Sequence, residues 1–311
     1  MGCTHKVLAS LAIVPSSPFI ALACTVIRSR PIPFLVSSLH GSMVRQEYEL
    51  ANKQLDDHNF WDAYVAGNTA LSPFLVSFAE RALLEARLPP GARVLDIATG
   101  TGTMAVVAAM AGMNVVATDF SSGMVQQVAS YQIPNIEVHQ MDGQALDLPD
   151  SSFDAAFSMF GITLFDDWRT GFSEMARVVR PGGVGSIGTW PLPGGAAGSL
   201  LLAQLCMELF PEISAPIMAS GLVKMSSPAR FRAALQSVGF TDVRIVEATY
   251  DYPIYAEDLE DPDRLFTFSS QWKLLDSRQR LKIVSTIESR RLQNSPYAVP
   301  STAAIATARR L

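Results

Sequence analysis

Val94-Leu95-Asp96-Ile97-Ala98-Thr99-Gly100-Thr101-Gly102-Thr103-Met104-Ala105 is the stretch on which the fold turns. Val94 to Ile97 reads as a short buried strand, the two glycines as a tight turn, and Met104 to Ala111 as a helix stopped by Gly112. A strand that passes through a Gly-rich turn into a helix opens a parallel βαβ unit. The same rhythm extends outward on both sides.

Upstream, Ser72-Pro73 places an N-cap residue before a helical proline. Leu71, Phe74, Leu75, Phe78 and Ala82 then form an apolar stripe to about Leu88, ended by Pro89-Pro90-Gly91. Downstream come strands Val115 to Thr118, Ile136 to Gln140 and Phe153 to Met159. A helix from Trp168 to Val179 runs into Arg180-Pro181-Gly182-Gly183, and a strand from Val184 to Trp190 follows. Further on, the pattern predicts a mainly helical stretch from about Ala196 to Lys224 and a helix from Pro228 to Val238 closed by Gly239. After these come a strand from Thr241 to Thr249, a helical segment from Asp263 to Leu292 and a last short strand near Ser301 to Ala308. Strands alternating with helices predict an α/β fold: a Rossmann-like, mostly parallel sheet with helices on both faces and an inserted helical lid.

Composition sets the outer limits. The chain has 311 residues, 49% of them apolar, enough for a large core, so disorder is excluded as its main theme. A net charge of -5 offers no general attraction to a phosphate backbone, and nucleic acid is not an expected partner. Cys3, Cys24 and Cys206, with His5, His40, His58 and His139, form neither a zinc pattern nor a disulfide framework.

The N-terminal stretch stands apart. Of 311 residues 29 are acidic, yet residues 1–46 contain none and Glu47 is the first. Val7 to Ile27 is 21 residues without a charge, but Pro15-Ser16-Ser17-Pro18 interrupts it and argues against a spanning helix. Three readings stand for residues 1–42: a cleaved targeting or secretory leader, a spurious extension ahead of Met43, and a membrane anchor. The expected division is 1–42 apart from a domain at 43–311, whose cofactor half covers about 71–190 and whose lid and substrate half covers about 191–300. The expected location is cytoplasmic, or mitochondrial if the leader is genuine.

The glycine turn has a Gly100-x-Gly102-x-x-Ala105 pattern, which brings backbone close to a ligand at a helix N-terminus. A dinucleotide site, an S-adenosylmethionine site and an ordinary turn all fit that pattern. Asp96 tips the balance by charge, since its carboxylate repels a pyrophosphate and attracts an ammonium. Asp119, at the end of the second strand, suits a ribose diol, that of NAD as well as that of S-adenosylmethionine. Phe120 beside it suits an adenine face, and Asp142, after the third strand, accepts from an exocyclic amine. Three acidic residues thus stand at the carboxyl ends of successive strands, the rim where open parallel sheets bind ligands.

These motifs, with Thr118 to Met124, Asp142 to Pro149, Ser152 to Ser158 and Glu174 to Gly183 in order, resemble those of class I S-adenosylmethionine-dependent methyltransferases. The branch most resembled is the ubiquinone/menaquinone-biosynthesis type. Weaker likeness reaches from about Phe60 to Arg309. The resemblance implies a seven-stranded sheet with an inserted antiparallel last strand, and S-adenosylmethionine as cofactor. It implies that Asp96, Ala98, Thr99, Gly100 and Gly102 hold the methionine part and Asp119 the ribose. Phe120, Met124, Asp142 and Gly143 would hold the adenine, with the chain near Ser158 closing the amino side. Ala98 departs from the family, which usually has glycine there.

Methyl transfer from a sulfonium requires alignment and exclusion of water more than a base. His58 and His139 are the weak candidates for one, and the catalytic residue is otherwise unassigned. Phe60, Trp61, Tyr64, Phe160 and Trp190 are expected to frame an apolar pocket under the lid helix Leu200 to Phe210, so the acceptor is expected to be a small hydrophobic molecule such as a quinol, phenol or polyketide. Within the family, Ser158 and Met159 stand where metal-dependent catechol enzymes place a carboxylate. No divalent metal is therefore expected, although Asp166 and Asp167 follow closely. An NAD(P)-dependent oxidoreductase and a non-catalytic methyltransferase-like protein are the alternatives.

Overall fold

The computed structural model describes residues 57–66, 71–191, 197–213, 218–292 and 295–311. The leader, extension and anchor readings of residues 1–42 lie outside these. The described residues form one compact unit, and no helix among them is long and apolar enough to cross a membrane.

Seven strands make one sheet in the order β3-β2-β1-β4-β5-β7-β6. They are β1 (Arg93–Ile97), β2 (Asn114–Asp119), β3 (Ile136–Gln140), β4 (Phe153–Met159), β5 (Val179–Thr189), β6 (Phe240–Ile254) and β7 (Tyr297–Arg310). β1 pairs in parallel with β2 and β4, and the final strand β7 inserts antiparallel between β5 and β6. The inner strands are covered on both faces: Val94 joins one core with Phe74, Phe78 and Phe157, while Leu95 and Ile97 join another with Phe153, Phe172 and Phe231. That two-sided burial is why β1 and β2 read as continuous apolar runs rather than alternating ones.

Helices follow from their caps and stripes. α1 is His58–Ala66 and α2 is Pro73–Ala86. Proline begins α2 and Arg87 closes it at φ 51°, but Ser72 makes no capping hydrogen bond there. α3 (Thr103–Met110) is buried nearly all round, and α4 (Ser122–Ser130) is capped by the Ser121 hydroxyl accepting from Met124 N. α5 (Trp168–Val178) buries Trp168, Phe172, Met175 and Ala176 on one stripe and is capped by Asp167. The lid side comprises α6 (Ala197–Leu209), α7 (Ser220–Met225), α8 (Pro228–Ser237), α9 (Pro262–Leu265), α10 (Ser270–Leu274) and α11 (Ser277–Arg290). A third core, with Leu201, Leu205, Trp272, Ile283 and Ile287, lies beneath them.

Three expectations need correction. The strand expected from Val184 starts at Val179, because Phe153 pairs with Val179 and Ala155 with Val184, so Arg180 to Gly183 bulge within β5. The helix expected from Asp263 to Leu292 is three helices, the first begun by the side chain of Asp261 and the last by that of Asp276 in a capping box with Gln279. β6 and β7 are long, pairing from Phe240 with Arg310 to Ile254 with Tyr297. Pro253 and Pro300 disguise this length, because proline cannot donate to a ladder. β5 pairs with β7 only between Arg309 and Ala304, so at Pro300 one side of β7 carries no strand partner.

Candidate functional site

The carboxyl ends of β1 to β4 open on a cavity of about 860 Å³. Its floor is the turn after β1. Ala98, Gly100 and Gly102 all have left-handed backbone, at φ 54°, 56° and 87°. This winding lets Thr99 N donate to Thr118 O at 2.9 Å and Gly102 N donate to Thr99 O at 2.9 Å. Asp96, only 2% exposed, accepts from Thr99 Oγ1 at 2.6 Å and from Ala105 N at 3.1 Å, which ties the strand end to the start of α3. Burial pushes its carboxyl up to about 7, against the pull of those two donors and with help from the charge of Asp119. Asp119 accepts from Gly100 N at 2.9 Å and Ser121 N at 3.0 Å, and burial raises it too. Two buried carboxylates on the floor of a cavity create a strong demand for a cation and for hydroxyl donors.

The predicted residues divide by position. Asp96, Ala98, Thr99, Gly100, Asp119, Phe120, Met124, Asp142 and Gly143 all line the cavity, as do Tyr64, Phe160, Trp190 and His58. Gly102, Ser158 and His139 do not. A Cβ on Gly102 would meet Val128 Cγ2 at 2.8 Å, so the packing of α3 on α4 by itself calls for glycine here. Ser158 Oγ donates to Ile97 O at 2.8 Å and accepts from Ile162 N at 3.0 Å, which occupies it in joining β1 to the turn after β4. His139, on the edge strand β3, has its Nε2 2.7 Å from Glu137 Oε1. The turn after β3 is held by Asp142 Oδ1 accepting from Gln144 N at 2.8 Å, and Gly143 leaves room for the Phe165 ring. Asp166 lines the cavity, whereas Asp167 caps α5; among the described residues no metal-holding group of His, Cys, Asp and Glu occurs.

α1 covers one side through a residue that sequence reading does not single out. Asp62 accepts from Ser121 Oγ and from Gly123 N at 2.9 Å, and the hydroxyl of Ser121 chiefly holds its carboxyl below the usual range. The only available signal is general: the exposed amides at the start of α4 attract a carboxylate. This clasp brings His58 to 4.4 Å from the Phe120 ring.

The opposite wall is aromatic. Phe160 and Trp190 stack at 3.9 Å and 4°, with Phe78 edge-on to both. Trp61 and Tyr64 of α1 reach Phe268 at 5.6 and 4.9 Å; Phe60 also meets Phe268 but does not line the cavity. Tyr252, Arg264, Phe268 and Ser269 complete the lid side. Tyr252 escapes sequence reading because it lies beyond the expected end of its strand. Burial pushes the phenols of Tyr64 and Tyr252 up, while Arg264 draws both down.

Residues 94–183 match a family model described as a methyltransferase domain. A demethylmenaquinone methyltransferase from Mycolicibacterium gilvum is 32% identical over 193 residues, covering 58% of this chain and 82% of that protein. Another, from Corynebacterium efficiens, is 36% identical over 127 residues, which span 41% of this chain and about half, 54%, of that relative. Among solved structures, a Haemonchus contortus phosphoethanolamine N-methyltransferase 2, in complex with phosphomonomethylethanolamine and S-adenosylhomocysteine, has a similar fold. Its TM-score is 0.50 at 19% identity, over 90% of this chain and 62% of that one.

Proposed function

This chain belongs to the class I S-adenosylmethionine-dependent methyltransferases, and from that premise we propose that it methylates a small, largely apolar acceptor of the quinol or phenol class. The observation that carries the reading is a single cavity whose floor is two buried carboxylates and whose far wall is aromatic. The relatives named for demethylmenaquinone favour a quinol.

S-adenosylmethionine supplies a methyl group on a sulfonium centre, where displacement depends on alignment and dryness. Asp96 and Gly100 are assigned to its amino-acid part and Asp119 to its ribose hydroxyls. Phe120, Met124, Asp142 and Gly143 are assigned to the adenine. On the acceptor side, the Phe160–Trp190 stack offers a flat apolar wall, and Tyr64 and Tyr252, kept protonated at neutral pH, offer hydroxyls rather than a base. We assign the activity to residues 43–311, and a chain starting at Met43 is expected to turn over at the rate of the full one.

The test is a labelled-methyl transfer screen against quinols, phenols, polyketides and amines, with the methylated atom located by NMR. Titration with S-adenosylhomocysteine and with NAD(P) accompanies it. Transfer to a quinol or phenol supports the reading; binding of NAD(P) alone refutes it in favour of an oxidoreductase.

A further inference from the structure

Residues 270–291, which hold α10 and α11, contain six basic residues and two acidic ones, in a chain whose net charge is -5. α11 turns the buried Ile283 and Ile287 onto the third core, so the helical period puts Arg278, Leu281, Lys282, Ser285 and Ser289 on its opposite face. All five are exposed, Leu281 to 68%. Neither Arg278 nor Lys282 has an ion-pair partner among the described residues. Leu274, exposed beside Lys273, stands at the corner that leads into the helix.

The acids around this helix are mostly engaged. Asp263 accepts from Trp272 Nε1 at 2.5 Å and pairs with Arg280 at 3.4 Å, Glu208 pairs with Arg290 at 2.5 Å, and Asp276 closes the capping box. Glu288, two turns beyond Leu281, is the acid that the face retains. The helix is also fastened to the cavity. Arg280 lies over the Trp272 ring at 4.9 Å, Trp272 meets Phe266 at 4.7 Å, and Leu265 and Phe268, which flank Phe266 in the chain, line the cavity. An acidic protein would match the charges alone. Leu281 between Arg278 and Lys282, with Leu274 beside Lys273, asks for an apolar layer directly beneath a negative one, and an anionic bilayer has that layering.

We propose that the outward face of α11, with the corner at Lys273 and Leu274, docks the protein peripherally on an anionic lipid surface, so that an apolar acceptor reaches the cavity from the bilayer. The docking stands apart from the methyltransferase reading, because vesicle binding is read without turnover; the acceptor's route rests on that reading. Each Lys or Arg near such a surface contributes about fivefold to partitioning, and the contribution is screened by salt.

The experiment floats the full chain with vesicles of phosphatidylcholine, alone and with added phosphatidylserine, at low and at high salt. It compares the wild type with Leu281→Ala and with the double variant Arg278→Glu, Lys282→Glu. The expected result is binding to the anionic vesicles only, weakened by high salt, lowered at least about twentyfold by the double charge reversal and about threefold by Leu281→Ala. Melting temperature and affinity for S-adenosylhomocysteine stay at the wild-type values in both variants, which separates a lost surface from a lost fold. Equal binding to the neutral vesicles overturns the proposal. So does undiminished binding by the charge-reversed variant, which would move the contact to the acid-free residues 1–46. Binding to neither kind of vesicle overturns it as well and leaves the face to an acidic protein. Failure of the wild type to bind S-adenosylhomocysteine would remove the methyltransferase reading and leave the vesicle result standing.

Discussion

Replacing the Asp96 carboxylate by an amide, Asp96→Asn, should move stability and cofactor binding in opposite directions. The Asp96 carboxyl is pushed from 3.8 to about 7, mainly by burial. A raised folded-state pKa means that the native chain binds more protons than the unfolded one between those values. Stability is therefore complete below about pH 4 and is lost as pH rises through 7. At about 1.4 kcal/mol per pH unit, a rise of that size gives about 4 kcal/mol as the upper limit of that loss. The amide never ionises, so at about pH 8 the variant escapes the loss. Weaker bonds to Thr99 Oγ1 and Ala105 N take back about 1–2 kcal/mol. The ligand-free variant should thus be about 2–3 kcal/mol more stable at about pH 8, roughly 5 °C in melting temperature, with the advantage gone by about pH 4.5. Binding runs the other way: losing the buried carboxylate opposite an ammonium costs at least about 2 kcal/mol, or roughly thirtyfold in affinity for S-adenosylhomocysteine. In the wild type, that affinity should rise with pH toward about 7, up to about tenfold per unit, because binding must first expel the proton from Asp96. Melting curves from about pH 4.5 to about 8 and calorimetric titrations check both halves. A melting difference that does not vary with pH, or undiminished affinity in Asp96→Asn, would refute the reasoning.

Gly161→Ala should destabilise by about 2 kcal/mol, because its Cβ would lie 2.5 Å from that of Ala98. Adding Ala98→Gly should restore most of the loss, and urea denaturation of the single and double variants reads the compensation. Asp62→Ala should free α1 from the start of α4, speeding amide exchange over His58–Ala66 about fivefold, as for a lost helix cap. The wild-type clasp should loosen on acidification below about pH 4, since the Asp62 carboxyl is held low and its contribution is lost as it protonates. Trp190→Ala should raise KM for the acceptor while leaving affinity for S-adenosylhomocysteine unchanged, the lost stack on Phe160 being about 1 kcal/mol. Loss of cofactor affinity instead would place Trp190 on the wrong side of the cavity.

What was legible in the sequence was whatever depends on neighbours along the chain. β1 to β4 and the helix α3 announce themselves by apolar runs and glycines, whereas α4 does not, and the three acids Asp96, Asp119 and Asp142 fall at strand ends where the cavity opens. Pairings between distant residues were not legible. Nothing near Asp62 names Ser121, 59 positions on, as its partner. Nothing in Gly102 distinguishes a glycine that a ligand needs from one that Val128 needs. The second half of the chain read worse because its strands contain proline and because α7, α9 and α10 are of six residues or fewer. There the ladder between β6 and β7 overrides local propensity.

Two of the left-handed non-glycine residues stand where the acids do, others such as Arg87, Gln132 and Asp242 falling in turns elsewhere. The chain runs outward from β1 to β2 and β3, then returns to lay β4 against the other side of β1, so the turns after β1 and β4 diverge over a crevice. Ala98 stands in the first turn and Phe160 in the second, both in left-handed backbone at φ 54° and 70°. Each costs about 1–2 kcal/mol for a residue with a Cβ. Ordinary turns elsewhere do not need a ring as bulky as Phe160 in such a conformation, so local sequence does not explain it. The surroundings do. Phe160 N donates to Gly188 O at 3.1 Å, and the pairing of Ser158 with Ile187 and Met159 with Gly188 fixes the strand behind it. Held there, the ring lies parallel to Trp190 at 3.9 Å. Relaxing φ would break the bond to Gly188 and swing the ring off its partner. The sheet therefore supplies the energy that keeps the aromatic wall aligned, the preorganisation that the proposed displacement would use.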